Sequence, residues 1–239
     1  MVRALTCAMV ALPLLAAGCD QPAPPAAQAT AAGPDALPEI PVMGPQQPIL
    51  AFGDSLLAGY GLNDGESYPA RLEQALRARG VNAKIANAGV SGDTTSAALA
   101  RLDFTLKSQP EKPVLAIVSL GGNDMLRALP PAQARANLDA ILARFEADGI
   151  PVLILGMMAA PNLGKDFAAQ FNPIYPQLAR KHGDALVPFF LQPVIDKPDL
   201  MQDDHVHPTA LGIDAIVTAT VDDVMEALPD RAAVSASPR

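Results

Sequence analysis

The sequence predicts an α/β fold built on a parallel sheet, and three observations predict it. Short apolar runs alternate with amphipathic helical stretches between residues 48 and 228. The run from Pro113 to Leu120 is apolar almost throughout, as expected of a central strand covered on both faces. Single helices separate successive strands, which implies right-handed crossovers and helices on both sides of the sheet. Half of the 239 residues are apolar and 18% are charged, a composition that supports one ordinary domain with a real core.

The elements follow in order. Ile49-Leu50-Ala51-Phe52 is a short apolar run that ends in Gly53-Asp54-Ser55, so it reads as a buried strand entering a turn. Pro69 opens a helix with Leu72, Ala75 and Leu76 on one face, closed by Gly80. Residues 83–88 form a weaker strand, and a helix starts near Thr94 or Thr95. The strand 113–120 follows, then a helix carrying Leu138, Ile141, Leu142 and Phe145 at i, i+3, i+4 and i+7. A fourth strand spans 152–157. Residues 162–183 are helical with a break at Pro173 or Pro176, and 185–187 is a short fifth strand. Pro208 opens a last helix, with Ile213, Ile216, Val217, Val224 and Leu228 on one face.

Outside residues 48–228 the composition changes. Residues 1–19 have the form of an export signal: Arg3 is the positive start, Ala8 to Ala17 an apolar stretch too short to span a bilayer, and Ala16-Ala17-Gly18 a small-residue cut site. Leu15-Ala16-Ala17-Gly18-Cys19 resembles a bacterial lipobox, with Ala16 where that pattern prefers Leu. Cys19 would then carry the lipid and tether the exported, periplasmic protein; the alternative is an ordinary signal with a stray cysteine. Residues 20–47 are rich in Pro, Ala and Gln and form an extended tether, and residues 229–239 a frayed tail.

Composition excludes several functions. The net charge of −8 and the absence of Trp argue against nucleic acid and against a basic membrane-binding patch. Cys7 and Cys19 are the two cysteines, so the folded domain holds no disulfide, zinc–thiolate site or cysteine nucleophile.

Chemistry gathers where strands end. Polar, glycine-bearing segments follow three strands, at Asp54-Ser55, at residues 89–94 and at Asn123-Asp124, and parallel strands present such segments at one edge of the sheet. A fourth polar cluster, Asp203-Asp204-His205-Val206-His207, precedes the last helix and holds two of the three histidines. A serine nucleophile needs an imidazole base and the base needs a carboxylate. Asp204 and His207, three apart, would lie on one side of a helical turn. Gly89 and Asn123 offer an N–H and a side-chain amide for an oxyanion. Read singly, each residue has a plainer role: a turn former, a helix-start histidine, an asparagine bonding its own loop. Ser91 is a rival nucleophile, although Asp93 replaces the last glycine of a G-x-S-x-G elbow. Asp203, Asp204, His205 and His207 are possible metal ligands, but four crowded neighbours rarely wrap one ion, so no metal is expected. His182, beside Gly183, reads as a helix C-terminal residue.

Gly53-Asp54-Ser55-Leu56, Gly89, Gly121-Gly122-Asn123-Asp124 and Asp204-x-x-His207 resemble the four blocks of the SGNH (GDSL) hydrolase family, in family order. Gly122 to Arg127 and Leu200 to Asp204 are similar to its periplasmic thioesterase, lysophospholipase and arylesterase group. The resemblance implies a flavodoxin-like three-layer α/β/α sandwich with five parallel strands in the order 2-1-3-4-5. It implies Ser55 as nucleophile, His207 as base and acid, Asp204 as its orienter, and an oxyanion hole from the Ser55 and Gly89 N–H groups and the Asn123 amide. His205 stands where that group often has Gly, which bears on loop shape. The expected activity is hydrolysis of small acyl esters or thioesters without metal or organic cofactor. An acetylesterase of cell-envelope glycans and a non-catalytic tethered binding protein are the alternatives.

Overall fold

The computed structural model describes residue 42 and residues 44–229. The leader, Cys19 and nearly all of the tether lie outside these residues, as does the tail beyond Pro229.

Five strands form one sheet: β1 (Gln47–Gly53), β2 (Ala83–Gly89), β3 (Leu115–Ser119), β4 (Val152–Leu155) and β5 (Ala185–Val187). All pairings are parallel and the order is β2-β1-β3-β4-β5. The register aligns Gly53 with Gly89 on one side and with Ser119 on the other. The three residues end their strands together, so the segments that follow emerge side by side. Every residue of β3 is buried, whereas β2 at the edge alternates. Continuous apolar runs therefore mark the centre of the sheet and broken ones its margin.

Among the described residues there are eight α-helices, seven between strands and one after β5: α1 (Ser55–Ala58), α2 (Tyr68–Ala78), α3 (Thr95–Lys107), α4 (Gly122–Leu126), α5 (Pro131–Ala147), α6 (Lys165–Phe171), α7 (Ile174–His182) and α8 (Ala210–Ala227). α2 packs on α8, while α3, α5 and α7 form a second row. Helices thus flank the sheet, and the core is a single cluster running from Ile49 to Val224.

Several boundaries differ from expectation. β1 begins at Gln47, the last residue assigned to the tether; Gln47 is buried and pairs with Ala83. β4 stops at Leu155 because the chain crosses β5 closely at Gly156, where a Cβ would lie 2.4 Å from the Pro188 carbonyl. The helical stretch before β5 breaks at Pro173, which separates α6 from α7. Pro208 does not open α8. It bridges Met201, and Thr209 caps the helix by accepting a hydrogen bond from the Gly212 N–H.

Candidate active site

Ser55 lies two residues past the end of β1, as the first residue of α1. Glycine and a buried carboxylate create that turn. A Cβ on Gly53 would stand 2.5 Å from the Ser119 carbonyl and 2.7 Å from Leu57, so only glycine lets β1 meet β3 there. Asp54, 1% exposed, accepts a hydrogen bond from the Leu56 N–H at 3.1 Å and so starts α1. The helix lasts one turn because Gly59 takes a left-handed conformation and donates to the Ser55 carbonyl.

The fourth cluster reaches Ser55 across 152 residues of sequence. His207 Nε2 is 2.8 Å from Ser55 Oγ, and His207 Nδ1 is 2.6 Å from Asp204 Oδ2. The Asp204–His207 spacing works through a turn rather than a helix: Asp204 Oδ1 accepts from the Val206 and His207 N–H groups at 2.9 and 3.0 Å. One carboxylate therefore folds its own loop and aims the imidazole. Burial raises the Asp204 pKa, but the His207 and Val206 N–H groups and the imidazole outweigh it and hold the value at about 2. Asp204 is an anion at neutral pH, as the orienter of an imidazolium must be. Gln202 secures the loop by donating from Nε2 to the Tyr60 and Pro208 carbonyls at 2.8 and 2.9 Å. His205, at the crest, has φ +56°.

Gly89 and Asn123 arrive from the neighbouring strands. A Cβ on Gly89 would meet the Ala58 nitrogen at 2.4 Å and the Asp54 carbonyl at 2.8 Å, so β2 ends pressed against α1, the helix that starts at Ser55. The Gly89 N–H bonds Asn87 Oδ1 at 2.9 Å, and Asn87 in turn donates to the Leu57 carbonyl. Asn123 Nδ2 donates to the Asp93 carbonyl at 3.0 Å and lies 3.4 Å from Asp54 Oδ2. Both donors thus have protein partners in the substrate-free chain.

Sequence reasoning missed the struts between these loops. The Arg101 guanidinium donates to Asp93 Oδ2 at 2.6 Å and to the Gly53 carbonyl at 2.9 Å, and lies 4.4 Å over the Phe52 ring. Buried Asp124 accepts from the N–H and hydroxyl of Thr95, tying α4 to the start of α3. Burial pushes the Asp54 carboxyl up to about 6 despite its hydrogen bonds. A charged residue in an apolar helix face, as Arg101 is beside Leu102, was the one signal available.

Other candidates fall away from the site. Ser91 is exposed, and both ring nitrogens of His207 and of His182 are engaged elsewhere. His182 ends α7 as expected, with its ring between Asp139 and Glu146. Among the described residues no group of three or more His, Cys, Asp or Glu side chains is placed to hold a metal ion.

Comparison with known proteins identifies the family. Residues 51–215 match the model of the GDSL-like lipase/acylhydrolase family. Esterase TesA of Pseudomonas aeruginosa is 40% identical over 162 residues, covering 68% of this chain and 80% of the relative. Thioesterase 1/protease 1/lysophospholipase L1 of Escherichia coli is 38% identical over 160 residues, covering 67% and 74%. The crystal structure of AlinE4, an SGNH-hydrolase family esterase, is 60% identical, covers 78% of this chain and 99% of its own, and superposes with a TM-score of 0.67. With four motif blocks brought to one sheet edge and relatives of this kind, the chain belongs to the GDSL-like (SGNH) lipase/acylhydrolase family and is an ester-hydrolysing serine hydrolase.

Proposed function

We propose that Ser55 attacks the acyl carbon of an ester or thioester while His207 takes its proton. The observation that carries this is the relay from Ser55 Oγ to His207 Nε2 at 2.8 Å and from His207 Nδ1 to Asp204 Oδ2 at 2.6 Å. The tetrahedral oxyanion is held by the Ser55 and Gly89 N–H groups and the Asn123 amide, and competes with Asn87 Oδ1 and the Asp93 carbonyl for the last two. The imidazolium then gives its Nε2 proton to the departing oxygen or sulfur as the bond to carbon breaks. Water, deprotonated by His207, then attacks the acyl carbon, and the imidazolium returns that proton to Ser55 Oγ as its bond to carbon breaks and the acid leaves. The substrates are small acyl esters and thioesters of arylesterase, thioesterase or lysophospholipase type.

The test is intact mass after fluorophosphonate treatment, followed by peptide mapping. One adduct on Ser55, lost in His207→Ala, is expected. An adduct on Ser91, or none on folded protein, rules the assignment out.

The chain is further proposed to be exported to the periplasm and anchored by a lipid on Cys19, on the strength of its leader and the small residues before that cysteine. The intact mass of membrane-fraction protein tests this: a mature chain that begins at an acylated Cys19 is expected.

A further inference from the structure

Tyr60 leaves 53% of its surface open although it stands beside the catalytic relay. Its backbone is held at both ends: its N–H donates to the Ser55 carbonyl at 3.2 Å, and its own carbonyl accepts from Gln202 Nε2 at 2.8 Å. Gly59 and Gly61 bracket it with φ +86° and +73°. A Cβ on Gly61 would lie 2.2 Å from Gln202 Oε1, so this loop is pressed onto the loop that carries the relay. The result is a ring centroid 4.6 Å from that of His207, with 37° between the planes. The backbone contacts fix where this half-exposed residue stands beside the relay.

Acyl transfer then says what lies next to it. When the bond to the leaving group breaks, the acyl group remains on Ser55 Oγ and the leaving atom receives the proton of His207 Nε2. The leaving atom must sit within hydrogen-bond reach of that nitrogen. A ring tilted against the imidazole, as that of Tyr60 is, is therefore a neighbour of the leaving group. We infer that the open part of the Tyr60 ring is the wall of the leaving-group subsite, and that this wall favours flat aromatic leaving groups. Aromatic rings in offset or edge contact gain over aliphatic groups of equal bulk. The inference rests on the serine-hydrolase mechanism proposed above and adds a specificity determinant to it.

The test compares benzyl with cyclohexylmethyl esters of one short acid. Both release primary alkoxides of similar basicity and bulk, so intrinsic reactivity cancels in the ratio of kcat/KM values. Tyr60→Leu should lower the benzyl preference about fivefold, and Tyr60→Phe should keep it. Fluorophosphonate, which expels fluoride and has no aromatic leaving group, should label Ser55 in Tyr60→Leu at a rate within about twofold of the parent chain. The pH profile of kcat/KM should not move. An unchanged ester ratio overturns the inference. Equal losses on both esters, with slower labelling or a displaced pH profile, also overturn it and make Tyr60 a support for the imidazole. Failure of the parent chain to label at Ser55 removes the underlying mechanism instead, which separates the two failures. Tyr60→Gln provides a second variant if the leucine chain does not fold.

Discussion

At the scale of single residues the site depends on short polar side chains that serve two partners. Asn123 already gives one N–H to the Asp93 carbonyl, and its value to catalysis lies in what it adds when charge appears on the substrate. Asn123→Ala should lower kcat by roughly 10²–10³-fold with KM little changed, as for other lost oxyanion donors. Steady-state kinetics on a soluble ester measure this; an unchanged kcat in a folded variant removes Asn123 from the site. His205 is a different case. A non-glycine residue at φ +56° is strained, and here the sequence departs from its similar group by placing His where Gly is common. Glycine would relieve the backbone but enlarge the unfolded ensemble. His205→Gly should therefore stabilise the chain by a net amount of about 0.5 kcal/mol, read from urea unfolding at constant slope. Both residues were visible in the sequence. The strain was not, because a single chain shows residue types and not dihedral angles.

At the scale of elements, the long periodic segments were legible and the short ones less so. β1, β3, α5 and α8 announce themselves through apolar runs and 3.6-residue spacing. α4 spans five residues, fewer than one period test needs, and it was missed. The start of α8 was misplaced at Pro208 because proline suits a first helical turn, whereas the Thr209 hydroxyl actually caps it. The role of His182 also required the fold, since its partners come from α5. Burial alone lowers the His182 pKa, but hydrogen bonds to Asp139 and Glu146 more than offset this and the net shift is upward. The stabilisation is complete below the ordinary imidazole value of 6.5 and is lost as pH rises through the raised folded value. Asp139 is shifted downward, first by Lys181 and then by His182, so its share persists until the pH falls below the usual carboxylate range. His182→Gln should cost about 1 kcal/mol near pH 6, a modest figure because both carboxylates are partly wet, and less near pH 9. Unfolding curves at the two pH values check it; a penalty that grows toward pH 9 contradicts the clamp.

At the scale of the whole molecule, parallel strands separate the two ends of the sheet. The groups proposed to act on substrate follow the carboxyl ends of β1, β2 and β3, and Asp204 and His207 join them from the segment before α8. The chain enters the sheet at Gln47, at the opposite end of β1. Six residue steps, about 20 Å, lie between that entry and Gly53. Three of the four blocks were legible as chemistry in the sequence because each follows a strand end, and the fourth because it gathers two of the three histidines beside carboxylates, yet the convergence of the first three needed the register that aligns Gly53, Gly89 and Ser119. Among the described residues, all five strands, every proposed catalytic group and the apolar cluster come after residue 46, and Asn82 Nδ2 donates to the Gly44 carbonyl just before them. A chain that starts at Gly44 should accordingly keep its thermal midpoint within about 2 °C and its kcat/KM on a water-soluble ester within about twofold. Scanning calorimetry and ester kinetics on the two chains make the comparison. A midpoint lower by about 5 °C or more would mean that residues 1–43 add to the stability of the folded domain. A selective loss of kcat/KM with the midpoint kept would mean that residues 1–43 contribute to the reaction and not to the stability of the domain.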